Sequence, residues 1–249
     1  HNAAMCTNYT PSSRDRLRAA RLGVAHLPEG DWPPEVYPGY EAPIIGRGGA
    51  PGQHDVAPHC VLARFGLIPR WSRDAAHAKE LSRHTTNARS ETAAVKPSFR
   101  SPWRDRHWGL APMENFFEPC WGTGRAVRWR IARADGDLFA AAGLWERWTD
   151  PASGEITASF TLLTVNADAH PLMARMHRPG DEKRMPVLLA PGEFEDWLHA
   201  TDEQAHTMVR KACAVPLSGQ PAPRAPPPVK ARPVTPPSPP APDDTLNLF

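Results

Sequence analysis

Six short runs rich in β-branched or aromatic residues, each bounded by Gly, Pro or Asp, limit what this 249-residue chain can fold into. They are Val61 to Leu67, Trp108 to Met113, Ala126 to Arg133, Leu138 to Trp145, Ala158 to Val165 and Met185 to Leu189. Helical periodicity is scarcer. Ser90 to Val95 reads as a short helix halted before Pro97, and Glu203 to Cys213 as a closing helix. Pro191 to Ala200 starts with proline in its first turn and sets Phe194, Trp197 and Leu198 on one face. Many short strands with few βαβ alternations predict an α+β fold: a curved, mainly antiparallel sheet or barrel-like core with flanking helices.

The same pattern ends abruptly. Pro216 to Asp244 is dominated by Pro, Ala and Ser, cannot bury a core, and is expected to be a disordered, polyproline-like linker after a domain spanning residues 5–215. The last residues, Thr245 to Phe249, form a small apolar peptide. Its Leu246, Leu248 and Phe249 resemble the Leu-x-Leu-Phe peptides with which bacterial proteins dock on the replication sliding clamp, although Thr245 stands where a Gln is usual. No apolar run reaches the length of a membrane span, so the expected location is cytoplasmic; the clamp-like tail adds an expected association with the replicating nucleoid, and the chain is expected to be a monomer. The cysteines Cys6, Cys60, Cys120 and Cys213 lack CxxC spacing, which fits reduced thiols rather than a disulfide frame. His59-Cys60 with His54 lacks the repeated paired spacing of a structural metal site, and no metal or organic cofactor is implied.

Charge is uneven along the chain. The net charge is +2, yet Val61 to Trp108 alone carries an excess of six positive charges. Arg64, Arg70, Arg73, Arg89 and Arg100 alternate there with Trp71, Phe99, Trp103 and Trp108. Cations that follow phosphates, interleaved with aromatic rings that stack bases, suit a single-stranded nucleic acid, with Arg70, Trp71 and Arg100 as candidate contacts. An ordinary solvated, salt-laced face has the same composition.

One dipeptide carries unusual chemistry. His1 to Ala4 reads as a tag remnant, so the natural product is expected to begin at Met5 and, after removal of that Met, at Cys6. An N-terminal Cys bears a thiol and an amine on adjacent carbons, and together they close a thiazolidine ring on an aldehyde. A small buried Cys opening a strand is the competing reading. Glu118 lies among aromatic residues, Phe116 to Trp121, where desolvation favours the protonated acid that imine formation needs. His177 titrates near neutrality and can take up or give a proton there. Asn87 offers a donor and an acceptor, and equally suits a helix N-cap.

Read in order, the chain contains Arg64-Phe65-Gly66-Leu67-Ile68-Pro69-Arg70-Trp71, Thr86-Asn87-Ala88-Arg89, Lys96-Pro97-Ser98-Phe99-Arg100, Phe116-Phe117-Glu118-Pro119 and Ala142-Gly143-Leu144-Trp145-Glu146. Leu163-Thr164-Val165-Asn166-Ala167 and His177 ahead of Arg184-Met185-Pro186-Val187 complete the set. From about Met5 to Ala200 it resembles the SRAP family (SOS-response-associated peptidase fold), the abasic-site-processing proteins. The resemblance implies that Cys6 links covalently to the ring-opened aldehyde of an abasic site in single-stranded DNA. It further implies that Asn87 orients the reacting centre, Arg89 holds a neighbouring phosphate, and Glu118 and His177 are the acid and the imidazole of the site. Asn8 replaces the family's phosphate-binding Arg, and Pro179 to Lys183 are extra residues between His177 and Arg184. Two other activities would use the same residues: a thiol peptidase or self-processing enzyme built on Cys6, and a noncovalent single-stranded DNA-binding module.

Overall fold

The computed structural model describes residues 7–20, 24, 26–48, 57–211 and 215–224. Cys6, His54, Cys213 and the clamp-like peptide with Leu246, Leu248 and Phe249 lie outside these residues. The strands are β1 (Tyr9–Pro11), β2 (Glu41–Gly46), β3 (His59–Phe65), β4 (Asn87–Arg89), β5 (Trp108–Cys120), β6 (Val127–Arg133), β7 (Phe139–Thr149), β8 (Ile156–Asn166), β9 (Arg184–Pro186), β10 (Leu188–Leu189) and β11 (Leu217–Pro221). The helices are α1 (Arg14–Ala19), α2 (Ala75–Ser82), α3 (Arg100–Arg104), α4 (Phe194–His199) and α5 (Asp202–Lys211). None is long and apolar enough to cross a membrane.

Five strands close on themselves as the α+β reading anticipates: β7 pairs β8, β8 pairs β3, β3 pairs β2, β2 pairs β5, and β5 returns to β7. Among the described residues only the β3–β8 and β4–β8 contacts are parallel. The residue pattern of β7 explains the closure. Phe139, Ala141 and Trp145 point to one buried cluster, while Ala140, Ala142 and Leu144 point to another, so both faces of the strand are covered. The first cluster, with Phe65, Phe116, Phe160 and Leu162, fills the barrel. The second lies outside it, beneath Trp103 of α3, Phe194, Trp197 and Leu198 of α4, and Val209 of α5. Indole N–H groups in that layer are satisfied: Trp108 donates to Ala200 O at 2.8 Å and Trp197 to Gly109 O at 3.0 Å.

Two glycines permit the close approaches. A Cβ at Gly143 would lie 2.3 Å from the Thr161 carbonyl oxygen, where β7 and β8 cross tightly. Gly66, just after β3, has φ +120°, and a Cβ there would sit 2.2 Å from Ser82 O. Gly66→Ala is therefore expected to destabilise the fold by more than about 2 kcal/mol, a fall in Tm of roughly 4 to 8 °C. Thermal denaturation checks this, and an unchanged Tm would show that the backbone relaxes there without cost.

Several elements depart from the sequence pattern. The strand expected to end at Met113 continues to Cys120, because β5 leaves β7 and takes new partners in β1 and β6. Ser90 to Val95 is a series of turns rather than a helix, since Asn87–Arg89 is drawn into the sheet and the following amides fold back on Arg89 O and Thr92 O. The expected linker begins later than Pro216. Leu217–Pro221 pairs antiparallel with β6, from Leu217 opposite Arg133 to Pro221 opposite Trp129. Main-chain pairing on an open edge needs no apolar side chains, and an edge strand tolerates proline.

Candidate functional site

Beyond Met113, β5 carries Phe116, Glu118 and Cys120 on one face by period-2 alternation. Phe116 and Cys120 belong to the barrel interior, so Glu118 is turned inward with them and is only 3% exposed. His177 reaches it from the chain that follows β8. Met176 bridges to Cys120, and His177 N donates to Pro119 O at 2.7 Å, which sets the imidazole beside the carboxylate. Nε2 of His177 lies 3.5 Å from Glu118 Oε2, and the imidazole is 4% exposed. His177 adopts φ +60°, a left-handed conformation that a side chain with a Cβ seldom takes. Burial lowers the imidazole pKa, a hydrogen bond with the Arg184 backbone and the charge of Asp181 oppose the shift, and Lys183 adds to it. The ring is thus mostly neutral at pH 7 and can accept or relay a proton.

Asn87 and Arg89 stand on β4, which adds parallel to β8. Asn87 is opposite Leu162, a barrel-interior residue, so the Asn side chain belongs to the interior face, with Nδ2 3.3 Å from Thr86 Oγ1. Arg89 follows on the same face, opposite Thr164, and pairs with Glu182 at 2.6 Å. Glu182 lies within the extra residues after His177. It also contacts Arg184 Nη1 at 2.9 Å, and Arg184 takes both carboxylate oxygens of Glu91 at 2.8 and 2.7 Å and Thr164 O at 2.7 Å. This buried fork ties β9, β8, the turn after β4 and the His177 loop into one unit.

The candidate DNA contacts separate. Trp71 is 46% exposed, with its indole N–H donating to Pro97 O at 3.2 Å and the His77 ring tilted against it at 5.6 Å between centroids. Arg100 is exposed at the start of α3. Arg70 is used differently: Nε and Nη2 hold Glu146 Oε2 at 3.0 and 2.7 Å, and Nη1 holds Asp105 at 2.8 Å. Glu146 is 2% exposed and a buried carboxylate needs a partner, so Arg70 is a strut between β7 and the loop after α3. Sequence reasoning missed the Arg184–Glu91–Glu182 network and the surroundings of Asn8. Their members are far apart in the chain and have no shared motif; only the extra residues around Glu182 stood out.

A closed β-barrel with an inward carboxylate–imidazole pair, flanked by an Asn-x-Arg strand, defines the class of this protein. The chain belongs to the SOS response associated peptidase (SRAP) family, whose model matches residues 5–223. It is 32% identical over 139 residues to the abasic site processing protein YoqW of Bacillus subtilis, covering 55% of each chain. It is also 26% identical over 162 residues to the abasic site processing protein HMCES of Pongo abelii, covering 54% of this chain and 44% of that one. The chain thus spans about half the length of the curated relatives it matches. Among solved structures, a Bordetella bronchiseptica protein superposes with TM-score 0.72 at 34% identity, over 87% of this chain and 99% of that one. A Bacteroides thetaiotaomicron protein shares the fold, with TM-score 0.70 at 24% identity over 86% and 90% of the two chains.

Proposed function

We propose that this protein captures abasic sites in single-stranded DNA through Cys6, leaving a thiazolidine crosslink. The observation that carries the reading is the buried pair of Glu118 and His177, 3.5 Å apart, on the interior face that also bears Asn87. The Cys6 α-amine adds to the C1′ aldehyde of the ring-opened sugar and gives a carbinolamine. Glu118 protonates the departing hydroxyl, water leaves, and the amine proton passes back to the carboxylate as the imine forms. The Cys6 thiol then adds to the imine carbon, its proton going to the nitrogen, and the five-membered ring closes. One water is lost in total. In this reading the His177 imidazole relays a proton at the sugar ring oxygen and favours the open aldehyde, while Asn87 orients the reacting carbon. The abasic site processing activity in the names of the relatives agrees with this assignment.

Intact mass after incubation with an abasic single-stranded oligonucleotide tests the reading. A chain starting at Cys6 should gain the oligonucleotide mass less one water, and recovery of the free protein alone would end the proposal. Binding should also report Arg89. It is half exposed and paired with Glu182, which a DNA phosphate would displace. Arg89→Ala should weaken noncovalent binding and reduce the slope of log K against log salt by about 0.7. A salt titration by fluorescence anisotropy measures this, and an unchanged slope would remove Arg89 from the phosphate contacts.

A further inference from the structure

Asn8, two residues after Cys6 in the chain, is buried in a network joining three parts of the fold. Its Nδ2 donates to Glu35 Oε2 at 3.3 Å and to Val36 O at 3.2 Å, and its Oδ1 accepts from Arg128 Nη2 at 2.7 Å. The same Nη2 reaches Glu35 Oε2 at 2.8 Å, and Nη1 reaches Ala222 O at 3.3 Å. The Arg128 guanidinium carbon stacks 3.4 Å from the centre of the Phe117 ring, and Phe117 N donates to Asn8 O at 2.9 Å. Tyr37 completes the shell by donating its hydroxyl to Glu35 Oε2 at 2.5 Å. Arg128 stands opposite Pro119 on β6, and Phe117 immediately precedes Glu118. The network therefore grips at once the strand that carries the acid and a residue two positions after Cys6 in the chain.

We infer that Arg128 and Glu35 are positioning residues that hold Asn8, and through it the segment bearing Cys6, in register with Glu118. The inference rests on the proposed capture of an aldehyde by Cys6. A segment ahead of a first strand frays unless it is tied down, whereas attack by a nucleophile requires its placement to within fractions of an ångström. A planar guanidinium meets that need, because one fork reaches the Asn8 amide, the Glu35 carboxylate and a backbone carbonyl while its face rests on Phe117. Burial opposes the charge of Glu35, but hydrogen bonds from Tyr37, Arg128 and Asn8 outweigh it and hold the carboxyl below its ordinary pKa, so the pair is ionised at neutral pH. Arg128 is also less open to a DNA phosphate than Arg89, its side chain being 20% exposed against 49%.

Single-turnover crosslinking over a range of abasic oligonucleotide concentrations tests this with a readout that general loss of fold would not produce. Arg128→Ala and Glu35→Gln should each lower the limiting rate about ten- to a hundredfold while leaving the half-saturating concentration and the salt slope within about twofold of wild type. Arg128→Lys keeps the charge but not the fork and should recover only part of the rate. Asn8→Ala combined with Arg128→Ala should be no slower than the slower single variant, since both act through one hydrogen-bond network. Should Arg128→Ala fail to fold in a thermal melt, Glu35→Gln and Asn8→Ala carry the same test. An unchanged limiting rate in a folded variant overturns the anchor. Weaker binding with an unchanged limiting rate also overturns it and makes Arg128 a phosphate contact. A wild-type chain that begins at Cys6 and forms no adduct refutes the capture reading, and the anchor with it; a reactive wild type with an equally reactive Arg128→Ala refutes the anchor alone.

Discussion

Glu118→Gln is expected to slow adduct formation by about two to four orders of magnitude at neutral pH, with binding of the abasic strand retained. Glutamine keeps the size and shape of the side chain but cannot deliver a proton and take one back. Glu118 sits between the inward residues Phe116 and Cys120, only 3% exposed, so bulk solvent is a poor substitute for its proton. His177 is 3.5 Å away and is not a ready replacement acid, because burial disfavours its charged form. Quenched-flow sampling on denaturing gels gives the rate. A value within threefold of wild type would take Glu118 out of the proton transfers and leave the buried pair without a chemical role.

Cys6→Ala is expected to abolish the heat-stable adduct. The amine remains and still forms an imine, but an imine hydrolyses when the sample is denatured. A thiol on the adjacent carbon acts with an effective concentration of about 10^5 M or more, and that advantage is what makes the closed ring persist. Borohydride treatment separates the two steps: it should trap the imine of Cys6→Ala as a stable amine while leaving the untreated sample free of adduct. The same loss is expected when Met5 remains attached, because the Cys6 nitrogen is then an amide and cannot attack. Stable adduct in Cys6→Ala would place the nucleophile elsewhere, and the exposed lysines would be the next residues to examine.

Legibility differed between elements for reasons that can be traced to particular residues. The runs around Ile131, Trp145 and Phe160 were readable because β-branched and aromatic side chains recur there between turn residues, and all three became strands of the sheet. β4 was not. Asn87-Ala88-Arg89 has no strand character of its own and is extended only because β8 offers an open edge. Ser90 to Val95 was misread for the same reason, as the local preference for a helical turn loses to that pairing. β11 was hidden in a Pro-rich stretch whose composition indicates disorder until the free edge of β6 is considered. At the site, Glu118 and His177 were legible as chemical types, but their separation of 59 residues in the chain conceals that they touch. Arg70 shows the reverse case, where a cation in a basic run is claimed by the buried Glu146.

By itself the sequence determined the class of fold, the ordered motifs of its family and the residue types that could do the chemistry, because hydrophobic period and side-chain identity are local properties. Which groups meet was decided only by the tertiary structure. Closure of the barrel turns Glu118 and Asn87 to one interior face, the left-handed turn at His177 brings the imidazole to the carboxylate, and the Arg128 fork ties Asn8 to the strand of the acid. Each of these contacts depends on strands pairing across long stretches of chain, and a hydrogen-bonded register fixes such distances to fractions of an ångström that no local pattern encodes.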